Sequence, residues 1–146
     1  MLLAVILTIF SVLHGTSALF GIGSKQSVAV RGRLTCNGMP ASNVYVKMYD
    51  DDVLWDSKMG ETHSDTNGFF QLIGTGREIS TVDPKVNFYH DCNNGDFRCP
   101  RKFTIKIPDQ YVAKGSTATM PYDFGVLELS GKMPGESHDC IHRKRR

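Results

Sequence analysis

Between residues 28 and 73, two segments in which apolar and polar side chains alternate with a period of two are followed by a turn and a further strand. In Val28-Ala29-Val30-Arg31-Gly32-Arg33-Leu34-Thr35-Cys36, the side chains of Val28, Val30, Leu34 and Cys36 fall on one face. Arg31, Arg33 and Thr35 fall on the other, the signature of a half-buried strand. Val44, Val46 and Met48 then alternate with Tyr45, Lys47 and Tyr49, and Asn37-Gly38-Met39-Pro40 before them supplies turn residues that tolerate positive φ. An acidic bend, Asp50-Asp51-Asp52, precedes a strand over Val53–Met59 that reads as an edge because charge recurs along it. The turn Asp65-Thr66-Asn67-Gly68 leads into the strand Phe69–Ile73.

The same alternation recurs downstream. Val86 and Phe88 alternate with Asn87 and Tyr89 after Asp83-Pro84, and Phe103, Ile105 and Ile107 alternate with Thr104 and Lys106 until Pro108. Phe124–Leu129 reads as the last strand, with Leu127 and Leu129 inward. Gly76–Thr81 has room for a short helical turn. Seven or eight short strands separated by turn signals predict an all-β fold, an antiparallel Greek-key sandwich. The predicted organisation is a leader over residues 1–18, an extension over 19–27, the sandwich over 28–133, and a tail over 134–146 that holds Cys140 and a basic end.

Composition adds a compartment. Leu2–Leu13 is an apolar run broken only by Thr8 and Ser11, too short to span a bilayer, which needs about 20 apolar residues. With small residues at Thr16 and Ala18, it reads as a signal peptide cleaved after Ala18. About 128 residues then remain, enough for one domain that buries roughly two-thirds of its unfolded surface. They contain no second hydrophobic segment, so the predicted mature protein is secreted, extracellular or at the cell surface, with no transmembrane segment. The net charge of +2 is small, and outside Arg143-Lys144-Arg145-Arg146 the basic residues are dispersed. That pattern argues against nucleic-acid binding, which calls for a basic face with interleaved aromatics.

The cysteines fit secretion. Four of them, Cys36, Cys92, Cys99 and Cys140, make two disulfides the default in an oxidising compartment. Three pairings are possible. Cys92 and Cys99 flank the short polar loop Asn93–Arg98, so a local bridge between them is expected, leaving Cys36 with Cys140 by exclusion. A zinc site using Cys92, Cys99 and His90 competes, but its cysteine spacing is longer than the usual two to four residues.

Gly32-Arg33-Leu34-Thr35-Cys36, Pro40-Ala41, Val44-Tyr45-Val46-Lys47, Asp65-x-x-Gly68-x-Phe70, Asp83-Pro84, His90-Asp91-Cys92 and Gly135–Cys140 together resemble the nematode transthyretin-like family. The resemblance covers nearly all of the chain after the leader. The Asp-x-x-Gly-x-Phe piece is structural in many such modules: Asp65 accepts backbone N–H bonds, Gly68 takes positive φ and Phe70 enters the core. The cysteine pattern with His90-Asp91-Cys92 is more specific. The resemblance implies a small secreted sandwich without an established general activity. Related 5-hydroxyisourate hydrolases use histidines, an arginine and a C-terminal Tyr-Arg-Gly-Ser signature. Here the chain ends Ile141-His142-Arg143-Lys144-Arg145-Arg146, so none of those roles carries over.

Candidate chemistry is sparse. No serine lies in a Gly-x-Ser-x-Gly motif, and no histidines are spaced as a metal pair on one element. His90 beside Asp91 is the best acid–base candidate, against a structural reading as a strand-end histidine. Asp50, Asp51, Asp52 and Asp56, with Asp65 across a hairpin, form an acidic cluster that can suit calcium, but no EF-hand loop is present and a solvated loop is the simpler reading. Tyr45 and Tyr49 lie opposite Val46, as an adhesive face or as an interior edge. The basic end can attract anionic lipid or glycosaminoglycan, or be trimmed. No Asn-x-Ser/Thr acceptor occurs. The chain therefore predicts a secreted, non-catalytic binding or signalling protein that needs no cofactor or metal. Its expected partner is a cell-surface receptor, a lipid or a small apolar ligand. The rivals are a hydrolase using His90 and Asp91, and a transthyretin-like small-ligand carrier.

Overall fold

A computed structural model describes residues 23–141, and the leader and the basic end of the tail lie outside the described residues. The strands are β1 (Ser24–Cys36), β2 (Met39–Pro40), β3 (Tyr45–Asp50), β4 (Ser57–His63), β5 (Phe69–Glu78), β6 (Pro84–His90), β7 (Arg101–Lys106), β8 (Ala113–Lys114), β9 (Tyr122–Glu128) and β10 (Ser137–His138). A 3-10 turn, Asp109–Tyr111, follows β7. Two sheets form a sandwich. In one, β1 is central, flanked by β2 and β5 on one side and β8 and β9 on the other; the second runs β10-β7-β6-β3-β4.

Pairing is antiparallel except between β1 and β9, which run parallel with a register shift between Arg31 and Arg33. Alternation along each strand aims one face inward. Val28, Val30 and Leu34 of β1 and Phe70 and Leu72 of β5 meet Val46 and Met48 of β3, Val86 and Phe88 of β6, and Phe103 of β7 in one buried core. Phe88 stacks on Phe103 at 4.8 Å between centroids and receives the edges of Phe70 and Phe124 at 5.6 and 5.3 Å.

Local chemistry explains the β4–β5 turn. Asp65 Oδ1 accepts the N–H groups of Asn67 and Phe69, each at 2.9 Å, and Gly68 sits at φ +82°. A Cβ at Gly68 would strike Leu34 O, so only glycine fits.

Several boundaries differ from the sequence expectation. Ser24–Ser27 belong to β1, because they pair with Thr75–Glu78 of an equally extended β5 that replaces the expected helical turn at Gly76–Thr81 as far as Glu78. Val53–Trp55 form a loop tip, and β4 starts only at Ser57. Propensity favours a strand there, but Val53–Trp55 have no partner strand. Within the expected tail, Ser137 and His138 pair with β7 and join the sheet.

Candidate functional site

The disulfides are Cys36–Cys92 and Cys99–Cys140, with Cα separations of 5.7 and 4.5 Å. This corrects the expected Cys92–Cys99 and Cys36–Cys140 pairing. The loop between Cys92 and Cys99 is closed by Asn94 instead, whose Nδ2 donates to Cys99 O at 2.9 Å and whose N–H donates to Asp91 O at 3.2 Å. Val86, Phe88, His90 and Cys92 fall on one face by the period of two, so Cys92 points between the sheets, where Cys36 ends β1. The alternation already carried that signal, and nearness along the chain masked it. Both cysteines of the zinc reading are thereby consumed in disulfides and offer no thiolate.

His90 faces inward and is 4% exposed. Its Nδ1 accepts the Cys92 N–H at 3.2 Å, its ring edge meets Phe103 at 6.0 Å between centroids, and its buried Nε2 has no hydrogen-bond partner among the described residues. Desolvation, reinforced by the Arg101 charge, pushes its pKa down to about 4, which keeps the ring neutral. Asp91 is exposed, and its Oδ1 accepts from Asn94 Nδ2 at 3.3 Å. The two residues therefore do not assemble as an acid–base dyad. His90 also lines a cavity of about 190 Å³ with Ser42, Asn43 and Leu129.

Beside His90 lies an anchor that sequence reasoning missed. The buried guanidinium of Arg101 uses all five of its N–H groups. Nε and one Nη2 hydrogen grip Glu136 at 2.7 and 3.0 Å, Nη1 donates to Cys92 O and Leu129 O, and Nη2 donates to Gly131 O. That grip holds the Glu136 carboxyl below its ordinary range.

The acidic cluster separates into three parts. Asp51 bridges Lys85 and Lys106, each at 2.9 Å, which pushes its pKa down to about 2, and Asp56 also pairs with Lys85 at 2.7 Å. Asp65 is spent in its turn. Asp50 and Asp52 are joined by Glu78, which the sequence did not suggest, with carboxylate oxygens within 4.8 Å of one another. Burial raises the pKa of Asp50 and of Glu78. Such clustering is common on protein surfaces and assigns no ion.

The two outer faces differ. On the β3–β6 sheet, Tyr45 and Tyr49 point outward, half-buried, with the Lys47 ammonium at 5.3 and 5.4 Å from their ring centroids. Tyr45 stacks on His63 at 4.6 Å and donates to Glu61 at 2.6 Å, so this face is tiled by its own side chains. Burial and the Glu61 contact raise the Tyr45 pKa.

The outer face of the β1 sheet is open instead. A groove of about 660 Å³ runs between Arg31 and Arg33 of β1, Phe69 and Gln71 of β5, and Asp123 and Val126 of β9. Gly32 underlies it: a Cβ there would stand 3.0 Å from both Phe124 Cβ and Phe70 Cε1. Phe69 and Val126 are 53% and 63% exposed. Arg31 pairs with Asp123 at 2.9 Å. Arg33 lines the groove, donates from Nε to Asn67 O, and holds its guanidinium carbon 5.2 Å from the Phe69 centroid. The alternation in β1 places both arginines outward, but the opposing Phe69 and the parallel β9 were not foreseeable from spacing.

Comparisons with known proteins agree with this architecture. A profile of the Transthyretin-like family matches residues 31–108. Transthyretin-like protein 5 of Caenorhabditis elegans is 51% identical over 83% of this chain and 88% of its own length. Transthyretin-like protein 2 of the same organism is 42% identical over 90% and 94%, and transthyretin-like protein 33 is 38% identical over 86% and 92%. With a sandwich of this topology and relatives aligned along most of its length, the chain belongs to the transthyretin-like family.

Proposed function

We propose that the protein is secreted and non-catalytic, and acts outside the cell or at its surface by holding a small amphiphilic ligand in the groove of the β1 sheet. The observation that carries this reading is the groove itself. Its volume lies within the range of small-molecule sites. Phe69 and Val126 offer apolar surface, and Arg33 presents N–H donors for an anionic group. Two disulfides support an oxidising compartment.

The hydrolase alternative is disfavoured by the position of His90, whose basic nitrogen is already occupied and whose ring is shut in the core. A fluorescence titration with an anionic aromatic probe, anilinonaphthalene sulfonate, tests the binding reading. Saturable binding that weakens about tenfold in Arg33→Gln and in Val126→Glu is expected, since each removes a contact worth on the order of 1–2 kcal/mol. Binding indifferent to both substitutions would overturn it. Turnover of an ester or amide substrate abolished by His90→Gln would restore the hydrolase.

A further inference from the structure

The end of the sandwich at the β3–β4 and β5–β6 loops carries four large apolar side chains that are mostly exposed. Val53, Leu54 and Trp55 are 101%, 79% and 69% exposed at the tip of the first loop, and Ile79 is 86% exposed on the second. The loops adjoin: Asp51 N–H donates to Asp83 O at 2.9 Å, and Asp83 N–H donates to Asp50 Oδ1 at 2.7 Å. Three consecutive large apolar residues held out by a tethered loop keep apolar surface in water that a partner would remove from it, which favours association.

We propose that this end inserts shallowly into the interface of a lipid bilayer with zwitterionic, choline-bearing headgroups. The apolar tip supplies the attraction. It is convex, and its second contact point, Ile79, sits on a separate loop, which suits a soft planar surface better than a single pocket. A tryptophan that joins an apolar body to a polar N–H is the side chain favoured at that depth.

Charge then selects the headgroup. Behind the tip, Asp51, Asp56 and Asp83 share Lys85 and Lys106, whereas the half-buried Asp52 and Glu78, beside the buried Asp50, take part in no ion pair among the described residues. Uncompensated carboxylates repel anionic headgroups and attract the outermost quaternary ammonium of choline lipids, which the indole face also favours. The site is distinct from the groove and rests on the preceding reading only for the extracellular setting in which a membrane is met.

Trp55 is the one tryptophan of the chain, so its emission reports this loop directly. With the oxidised protein and phosphatidylcholine vesicles, the emission shifts to the blue and is quenched by lipids brominated along the acyl chain. Leu54→Asp, which keeps Trp55 and an unchanged far-ultraviolet dichroism, lowers partitioning about tenfold or more, and Ile79→Ser lowers it less. Phosphatidylserine mixed into the vesicles weakens binding. Unchanged Trp55 emission at saturating phosphatidylcholine, tighter binding to the anionic vesicles, or a Trp55 shift produced only by a protein partner would each overturn the proposal. The groove's probe titration is read separately, so failure of one site leaves the other tested on its own.

Discussion

His90 should make the fold acid-sensitive in a window that no exposed histidine would produce. Its ring is 4% exposed between Phe103 and Arg101, and its pKa falls from 6.5 to about 4 on folding. Between those values the unfolded chain takes up a proton that the native state refuses. Stability therefore rises with pH across the window: the neutral ring carries no penalty above about 6.5, and the full penalty is reached below about 4. One proton gives a slope of at most about 1.4 kcal/mol per pH unit, and the shift integrates to about 3 kcal/mol. Arg101 adds to the depression, while Glu136 and Asp91 oppose it. Urea unfolding of the oxidised protein at a series of pH values, wild type against His90→Gln, isolates the effect, because Gln retains an acceptor for the Cys92 N–H. The variant should lose the excess slope. Equal slopes in the two proteins, or an imidazole resonance of native His90 that titrates near 6.5, would refute the reasoning.

Two further outcomes follow from the same end of the sandwich. Glu136→Ala strands part of a buried guanidinium and should destabilise by about 3–5 kcal/mol in chemical unfolding, against under 1 kcal/mol for Lys58→Ala at the exposed Glu61 pair; a loss below about 1 kcal/mol would show that Arg101 re-solvates freely. Peptide mapping without reduction should recover Cys36 linked to Cys92 and Cys99 linked to Cys140. Replacing Cys36 and Cys92 together by Ala should cost about 4 kcal/mol on the chain-entropy account for a loop of this span, and a peptide linking Cys92 to Cys99 in the native protein would contradict the assignment.

Most of the sandwich was legible because alternation is a local property. Val28, Val30 and Leu34, Val46 and Met48, and Val86 and Phe88 each declare a buried face without reference to a partner strand. Asp65, Gly68 and Phe70 were equally readable, since the turn's hydrogen bonds close within five residues. The functional surfaces were less so. The groove exists because Val126 arrives beside Arg33 from a strand more than ninety positions away, running parallel. The Arg101–Glu136 grip and the meeting of Glu78 with Asp50 and Asp52 likewise depend on which loops share an end of the sandwich. The loop tip was misread as an edge strand because Val53-Leu54-Trp55 has strand propensity but no neighbour to pair with.

The parallel β1–β9 ladder also dictates an order of assembly. The hairpins β3–β4 and β6–β7 close over short stretches of chain, and all but one strand of their sheet is present by Lys106. The β1 sheet instead waits for Ala113–Lys114 and then Tyr122–Glu128 before its central strand has partners on that side. Non-local pairing of this kind is slow, because the closing of a long loop precedes any contact that rewards it. Throughout that interval Cys92 and Cys99 are neighbours on one folding hairpin, while Cys140 has yet to emerge. During that interval the native Cys36–Cys92 pair competes with the bridge that nearness along the chain suggests, and any Cys92–Cys99 bridge formed then would need thiol–disulfide exchange to resolve into the native pairs.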